Sequence, residues 1–195
     1  QEDMSGNLWI RTVAGYAIYN SVSDVFDCNV EAWMWNIGIT GSPSLIYIDK
    51  EKSFWIYVNG KGIYKYKDGQ KSAVIMKGSD ELIVEAQVSD MKECDEGILL
   101  VLNNGVLACI DKEKQSFRWV NYDITEDRKE MKNALFDLFV DRSGRVWIFS
   151  VEGMWIYSLS RKAWEQRSPR TDTYNTVRAI AQDKYGCIWV GRDQD

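Results

Sequence analysis

The sequence predicts an all-β fold built from β-propeller blades of four antiparallel strands, about four blade equivalents making a partial propeller. Three observations carry this expectation. Composition is skewed toward strand and turn formers, with 9 Trp, 10 Tyr, 6 Phe and 14 Gly against 2 Pro in 195 residues. An Asp-x-x-Gly turn followed by an apolar strand recurs along the chain. Its step lies in the low to mid forties, the length of four short strands with their turns.

Three segments align without gaps: Asp3-x-x-Gly6-Asn7-Leu8-Trp9-Ile10, Asp141-x-x-Gly144-Arg145-Val146-Trp147-Ile148 and Asp183-x-x-Gly186-Cys187-Ile188-Trp189-Val190. A fourth copy, Asp49 to Trp55-Ile56, carries Lys52 in place of glycine. In a fifth, Cys94, Gly97 and Leu100 take the Asp, Gly and Trp places. The anchor positions 9, 55, 100, 147 and 189 are 46, 45, 47 and 42 apart. A second landmark follows the first four anchors, at Gly15 to Tyr19, Gly62 to Tyr66, Gly105 to Cys109 and Gly153 to Tyr157. The expected repeats are 1–40, 41–85, 86–132, 133–175 and an incomplete 176–195.

Within each repeat the elements follow in order. Strand A ends at the Asp-x-x-Gly turn, where Asp can bond the backbone two residues on and Gly takes a left-handed conformation without a Cβ clash. Strand B alternates, with Trp147 and Phe149 on one face and Val146 and Ile148 on the other. A strand apolar on both faces is buried on both, as between neighbouring blades. A glycine turn leads to strand C, which usually ends in an aromatic residue. A polar turn (111–115 or 160–162) then leads to an outer strand D carrying Phe117 and Trp119, or Trp164. One stretch competes with this register: Met131, Ala134, Leu135, Leu138 and Phe139 recur at helical spacing. A short helical turn is expected near 125–132, with strand A over 135–140.

The chain reads as strands B to D of one blade, three whole blades, and strands A and B of another. The expectation is a piece of a larger propeller, whose raw edge strand would invite pairing between chains, a homodimer included.

Composition narrows the function classes. The formal charge of −5 is spread without a basic cluster, which disfavours nucleic acid as a partner. Apolar runs such as Ile98 to Leu102 reach only five residues, so no membrane contact is expected within this segment. The acidic opening Gln1-Glu2-Asp3 has no apolar run behind it and reads as no signal peptide. There is no histidine, which removes an imidazole base and any His-ligated metal from this chain. No cofactor is expected. Cys28, Cys94, Cys109 and Cys187 are 66, 15 and 78 residues apart, without a C-x-x-C pair. They read as small buried apolar residues, a disulfide being the less favoured alternative.

Asp3, Asp49, Asp141 and Asp183 resemble isolated carboxylate sites, but one carboxylate per turn falls short of the six or more oxygens that calcium takes. Each reads as holding its own turn together with Gly6, Gly144 and Gly186, and Trp9, Trp55, Trp147 and Trp189 read as core between blades. No metal site is expected. The mixed-charge run 126–130 reads as a solvated face.

The pattern D-x-x-G-x-h-W-h-G-x followed by G-h-x-x-Y resembles the two-component regulator propeller repeat, best over Val177 to Arg192, Leu138 to Tyr157 and Asp3 to Tyr19. The resemblance implies a non-catalytic segment from the periplasmic sensor region of a Bacteroidetes hybrid two-component system. It implies an oligosaccharide-derived signal as ligand, and the remaining blades and domains of a parent chain as partners. Histidine kinase activity and a DNA-binding regulator would lie elsewhere in that parent. The motif is also similar to the Asp-box of sialidase propellers, yet no arginine triad or tyrosine nucleophile is recognisable. A protein-interaction scaffold is the alternative, and a glycosidase or lyase fragment, which would need two converging carboxylates, ranks below it.

In propellers the D–A and B–C loops open on the face where ligands usually bind. The B–C turns would place Arg11, Asn59, Lys61, Asn103, Asn104, Glu152, Arg192 and Asp193 there, and a D–A loop would add Tyr174 and Asn175. Trp33 and Trp35 alternate and are expected to share one face of a strand, either packed on the next blade or offered to a sugar ring.

Overall fold

The computed structural model describes residues 1–76, 87–121, 136–150, 153–169 and 177–192. The described strands form five antiparallel sheets of two to four strands, each a meander in which chain neighbours pair. The chain divides into two compact units, Gln1–Glu85 and Ala86–Asp195.

The first unit holds two sheets and a helix. Strands β1 (Leu8–Thr12), β2 (Gly15–Asn20) and β3 (Val25–Asp27) form the first sheet. Helix α1 (Val30–Asn36) follows, and β4 (Leu45–Ile48), β5 (Phe54–Val58), β6 (Gly62–Tyr66) and β7 (Val74–Ile75) form the second sheet. Alternation puts Phe54, Ile56 and Val58 on one face of β5. That face packs with Trp9, Tyr16 and Ile18 of the first sheet and with Val30 and Met34 of α1. All five residues of β5 are buried, as expected for a strand covered on both faces.

Trp33 and Trp35 lie on α1, not on a strand. The Asn29 side chain accepts from the Ala32 N–H as an N-cap, Glu31 sits in the first turn, and Val30, Met34 and Ile37 follow at i, i+4 and i+7. The helix stops at Gly38, which takes φ +84°. Two residues apart on a helix of 3.6 residues per turn, the two indoles point to opposite sides. The Trp33 ring meets Trp9 at 4.7 Å, Phe54 at 5.0 Å and Tyr66 at 5.7 Å, whereas Trp35 is 70% exposed. An apolar-any-apolar triplet fits either period; the cap and the i+4 spacing around it select the helix.

The second unit holds three sheets. Strands β8 (Val88–Cys94), β9 (Gly97–Leu102), β10 (Leu107–Asp111) and β11 (Ser116–Asn121) form the third. Strands β12 (Asp137–Val140), β13 (Arg145–Ser150), β14 (Gly153–Ser158) and β15 (Ala163–Pro169) form the fourth. Strands β16 (Val177–Gln182) and β17 (Ile188–Arg192) pair as the fifth. Leu99 and Val101, with their cross-strand partners Cys109 and Leu107, pack against Leu138, Val146, Ile148, Trp155 and Tyr157 of the fourth sheet. The helical turn expected near 125–132 lies outside the described residues, as does the charged run 126–130.

Two expectations about the third sheet and the cysteines are corrected. Trp9 looks toward the sheet that follows it, and in the third sheet Leu99 and Val101 do so, not Leu100. The β8–β9 hairpin closes in two residues, with Cys94 opposite Gly97, so the side-chain alternation arrives one residue out of step with the other copies. The four cysteines are free thiols, but only Cys109 is buried; Cys94 is half-buried, and Cys28 and Cys187 are exposed. Cys28 follows the short strand β3, and Cys187 closes an exposed hairpin loop, so neither position has a core to enter. Among the described residues no helix is long and apolar enough to cross a membrane.

Candidate functional site

Four hairpin loops share one construction. The pairs Glu2 with Leu8, Ile48 with Phe54, Val140 with Val146, and Gln182 with Ile188 each enclose five residues, the first an aspartate. One carboxylate oxygen accepts the backbone N–H two and four residues on: Ser5 and Asn7 for Asp3, Glu51 and Ser53 for Asp49, Ser143 and Arg145 for Asp141, Tyr185 and Cys187 for Asp183. The other oxygen accepts the indole N–H six residues on, from Trp9, Trp55, Trp147 or Trp189, at 2.9–3.0 Å. The fourth loop residue turns left-handed, at φ +81° for Gly6, +76° for Gly144 and +91° for Gly186.

These carboxylates are occupied by their own turns. Burial works to raise the Asp141 carboxyl, but bonds from Ser143, Trp147 and Arg145 outweigh it and hold it at about 2. The Trp189 indole and three backbone N–H groups lower Asp183 in the same way. Among the described residues no group of three or more Cys, Asp or Glu is placed to hold a metal ion. Trp9, Trp55 and Trp147 are buried, whereas Trp189 is 65% exposed, a departure from the core role expected of it. It sits on the second strand of a two-stranded sheet, with less around it to cover the ring.

The predicted ligand residues divide by location. In the second sheet the turn between β5 and β6 is tied to the segment entering β4. The Lys61 ammonium donates to the Thr40 carbonyl at 2.8 Å and to its hydroxyl at 2.7 Å, and the Asn59 N–H donates to the Ser44 hydroxyl at 3.3 Å. Tyr57 donates from its hydroxyl to Asn59 Oδ1. The third sheet repeats the device: the Asn103 N–H donates to the Gln87 carbonyl at 2.8 Å, and Asn103 Oδ1 accepts the Gln87 N–H at 3.2 Å. Asn104 folds back on its own turn, accepting from the Val106 N–H.

Arg11 is exposed at the end of β1 and Arg192 at the end of β17. Trp35 stands on α1, away from these turns in sequence. Glu152, Tyr174, Asn175 and Asp193 lie outside the described residues.

The structure adds groups that the sequence did not point to. Backbone donors on the first strands of two sheets are capped by side chains from the sheet before. The Ile46 N–H donates to the Tyr16 hydroxyl and the Ile48 N–H to Gln1 Oε1, both at 2.7 Å. The Leu138 N–H donates to Asp90 Oδ2 at 2.9 Å. Unpaired edge donors are thereby satisfied without another strand. Thr40, Ser44, Gln87 and Asp90 act through tertiary placement, so no local spacing announces them.

The family described as "Two component regulator propeller" matches residues 172–191. No curated protein matches the chain by sequence. Among solved structures, the extracellular domain of BT4673 from B. thetaiotaomicron, assigned to a one component system, is 18% identical with a TM-score of 0.71, over 98% of this chain and 26% of that one. The extracellular domain of the hybrid two component system assigned as BT3049, from the same organism, is 15% identical with a TM-score of 0.63, over 98% and 25%. YCF48 bound to D1 peptide is 13% identical with a TM-score of 0.58, over 95% and 58%. At these identities the likeness establishes a shared fold. The chain spans about a quarter of the length of the B. thetaiotaomicron domains it resembles.

Proposed function

We propose that the five sheets are successive blades of a partial β-propeller with the repeat boundaries given above. In this reading the chain is a non-catalytic periplasmic sensor segment of a hybrid two-component regulator. It contributes to recognition of a glycan-derived signal, and kinase activity resides elsewhere in the parent chain. The observation that carries the reading is the likeness of nearly the whole chain to the extracellular domains of bacterial regulators, joined to the matching family repeat at 172–191. The aspartates support it from the other side: hydrogen-bonded into their own loops, they have no part to play as paired catalytic acids. A sensor needs only different affinity for two arrangements, and the planar polar groups of Asn59 and Asn103 and the cations of Arg11, Lys61 and Arg192, taken turn by turn, are of the chemistry that suits sugar hydroxyls.

The test is a thermal-shift screen of the chain against purified oligosaccharides. A concentration-dependent rise in melting temperature with one glycan class, without cleavage of that glycan, is the expected result. No shift across the panel would refute glycan recognition by this segment.

An interaction scaffold is the second reading, favoured by one observation. Leu8, Ile10 and Phe26 are 40%, 37% and 60% exposed in the first sheet, an apolar patch of the kind that other protein covers.

A further inference from the structure

Sheets pack on one another in this chain through a repeated set of positions. The first sheet offers Trp9 and its cross-strand partner Ile18 to the second, where Phe54, Ile56 and Tyr66 receive them. The Trp9 ring lies 5.1 Å from that of Phe54, edge to face. The third sheet packs on the fourth in the same manner, and Val146, Ile148 and Tyr157 are among the receiving residues. Register makes these positions equivalent, because Phe54 pairs with Tyr66 and Val146 with Tyr157. In the first sheet the same pair is Leu8 with Tyr19, and Ile10 stands where Ile56 and Ile148 stand.

Two faces built to this pattern are exposed. Alternation turns Leu8, Ile10 and Tyr19 away from the side on which Trp9 packs, and Leu8 and Ile10 are open to solvent. Phe26, opposite Tyr19 with ring centroids 4.8 Å apart, extends this receiving face. On the fifth sheet Trp189 is the counterpart of Trp9. Its indole N–H is held by Asp183 at 3.0 Å, as that of Trp9 is held by Asp3 at 3.0 Å, so the two rings are presented alike. Trp189 pairs with Ala181, and Gly191 pairs with Ala179 on the same face. All four residues are exposed, an indole flanked by small groups that leave room for bulky ones.

We propose that the chain associates head to tail with a second copy of itself. The Trp189 face of one protomer docks on the face of Leu8, Ile10, Tyr19 and Phe26 of its partner. The contact remakes between chains what Trp9 makes with the second sheet. The proposal rests on the interaction-scaffold reading, whose apolar patch it supplies with a partner, and it is independent of glycan binding. A copy of this chain is the occupant because the receiving positions are filled twice within the chain, each time by the preceding sheet of the same repeat. Removing the exposed apolar side chains from water drives the association. The two faces differ, so the contact is heterologous, and association proceeds until a ring closes.

The experiment is sedimentation velocity, under a reducing agent, on the 195-residue chain and two surface variants, Leu8→Glu and Ala181→Glu. Each variant places an unpaired carboxylate in one face and leaves the other intact. The mass of the wild type should rise with concentration. Each variant alone should stay monomeric where the wild type associates, and matching circular dichroism spectra show that both are folded. Mixed in equal amounts, the two variants should form a heterodimer, because the Trp189 face of Leu8→Glu meets the Leu8 face of Ala181→Glu. A mixture that stays monomeric, or a wild type that never associates, would overturn the proposal. If only Leu8→Glu weakens association, the patch has another occupant: the proposal fails and the scaffold reading stands. If neither substitution weakens it, the patch takes no part and both fail.

Discussion

The Trp55 indole donates to Asp49 Oδ2 at 2.9 Å even though the residue that turns the loop between them is Lys52, held at φ +62°. The geometry of the glycine copies survives a side chain in the left-handed region because the carboxylate bonds fix the turn from both sides. The lysine recovers part of the cost by donating from its ammonium to the Glu2 carbonyl at 2.9 Å.

Lys52→Gly removes a left-handed non-glycine residue, whose strain is about 1 kcal/mol, and gives up an exposed hydrogen bond worth less. The variant should be more stable by about 0.5 kcal/mol, seen as a higher urea midpoint at unchanged slope. Lys52→Ala keeps the strain and loses the bond, so its midpoint should fall. Equal midpoints for the two variants would show that strain does not govern this position.

Asp141 makes stability depend on acid. Its folded value of about 2 lies below the ordinary carboxylate value near 3.9, so the carboxylate contributes fully above the latter and loses its contribution as pH falls toward the former. The contribution is about 2 kcal/mol. Urea midpoints of the wild type should fall between pH 5 and 3, and those of Asp141→Asn should fall less steeply from a lower starting point. The ordinary-pH loss in Asp141→Asn should exceed that in Asp183→Asn, because Asp141 is buried and the Asp183–Trp189 bond is exposed.

Gly97→Ala tests the close approach of the β8–β9 turn to β10. The added carbon would overlap backbone, the Ile110 carbonyl, which has no rotamer by which to yield. Loss of more than about 2 kcal/mol is expected, and unfolding should be monitored by denaturant. Gly6→Ala meets no neighbouring atom and pays only for φ +81°, so its loss should be near 1 kcal/mol.

What the sequence made legible follows from how local each feature is. Asp141 and Trp147 are six residues apart, and the loop they close is built from five consecutive residues, so spacing alone announces it. The third copy misled because its turn is two residues long, and matching Cys94, Gly97 and Leu100 to Asp, Gly and Trp slipped the strand by one. The close approach of Gly97 to the Ile110 carbonyl on the neighbouring strand is a contact that no spacing records. The candidate ligand face was legible as a set of turns. Its partners were not: Lys61 meets Thr40 from 21 residues away, and Asp90 meets Leu138 across 48.

The two tryptophans of α1 separate the helix from the strand expected at that place. On a helix, Trp33 carries the packing with Trp9, Phe54 and Tyr66, and Trp35 carries exposure. Trp33→Ala should therefore cost about 3 kcal/mol, at the low end for a large aromatic because the ring is only partly buried. Trp35→Ala should stay within about 0.5 kcal/mol of wild type. A strand would place both rings on one face, and the two variants would then lose stability together. Ligand binding provides a second reading of the same pair. If the glycan that raises the melting temperature stacks on Trp35, Trp35→Ala abolishes the shift while leaving the unliganded midpoint where it was; if the shift persists, Trp35 has no part in binding.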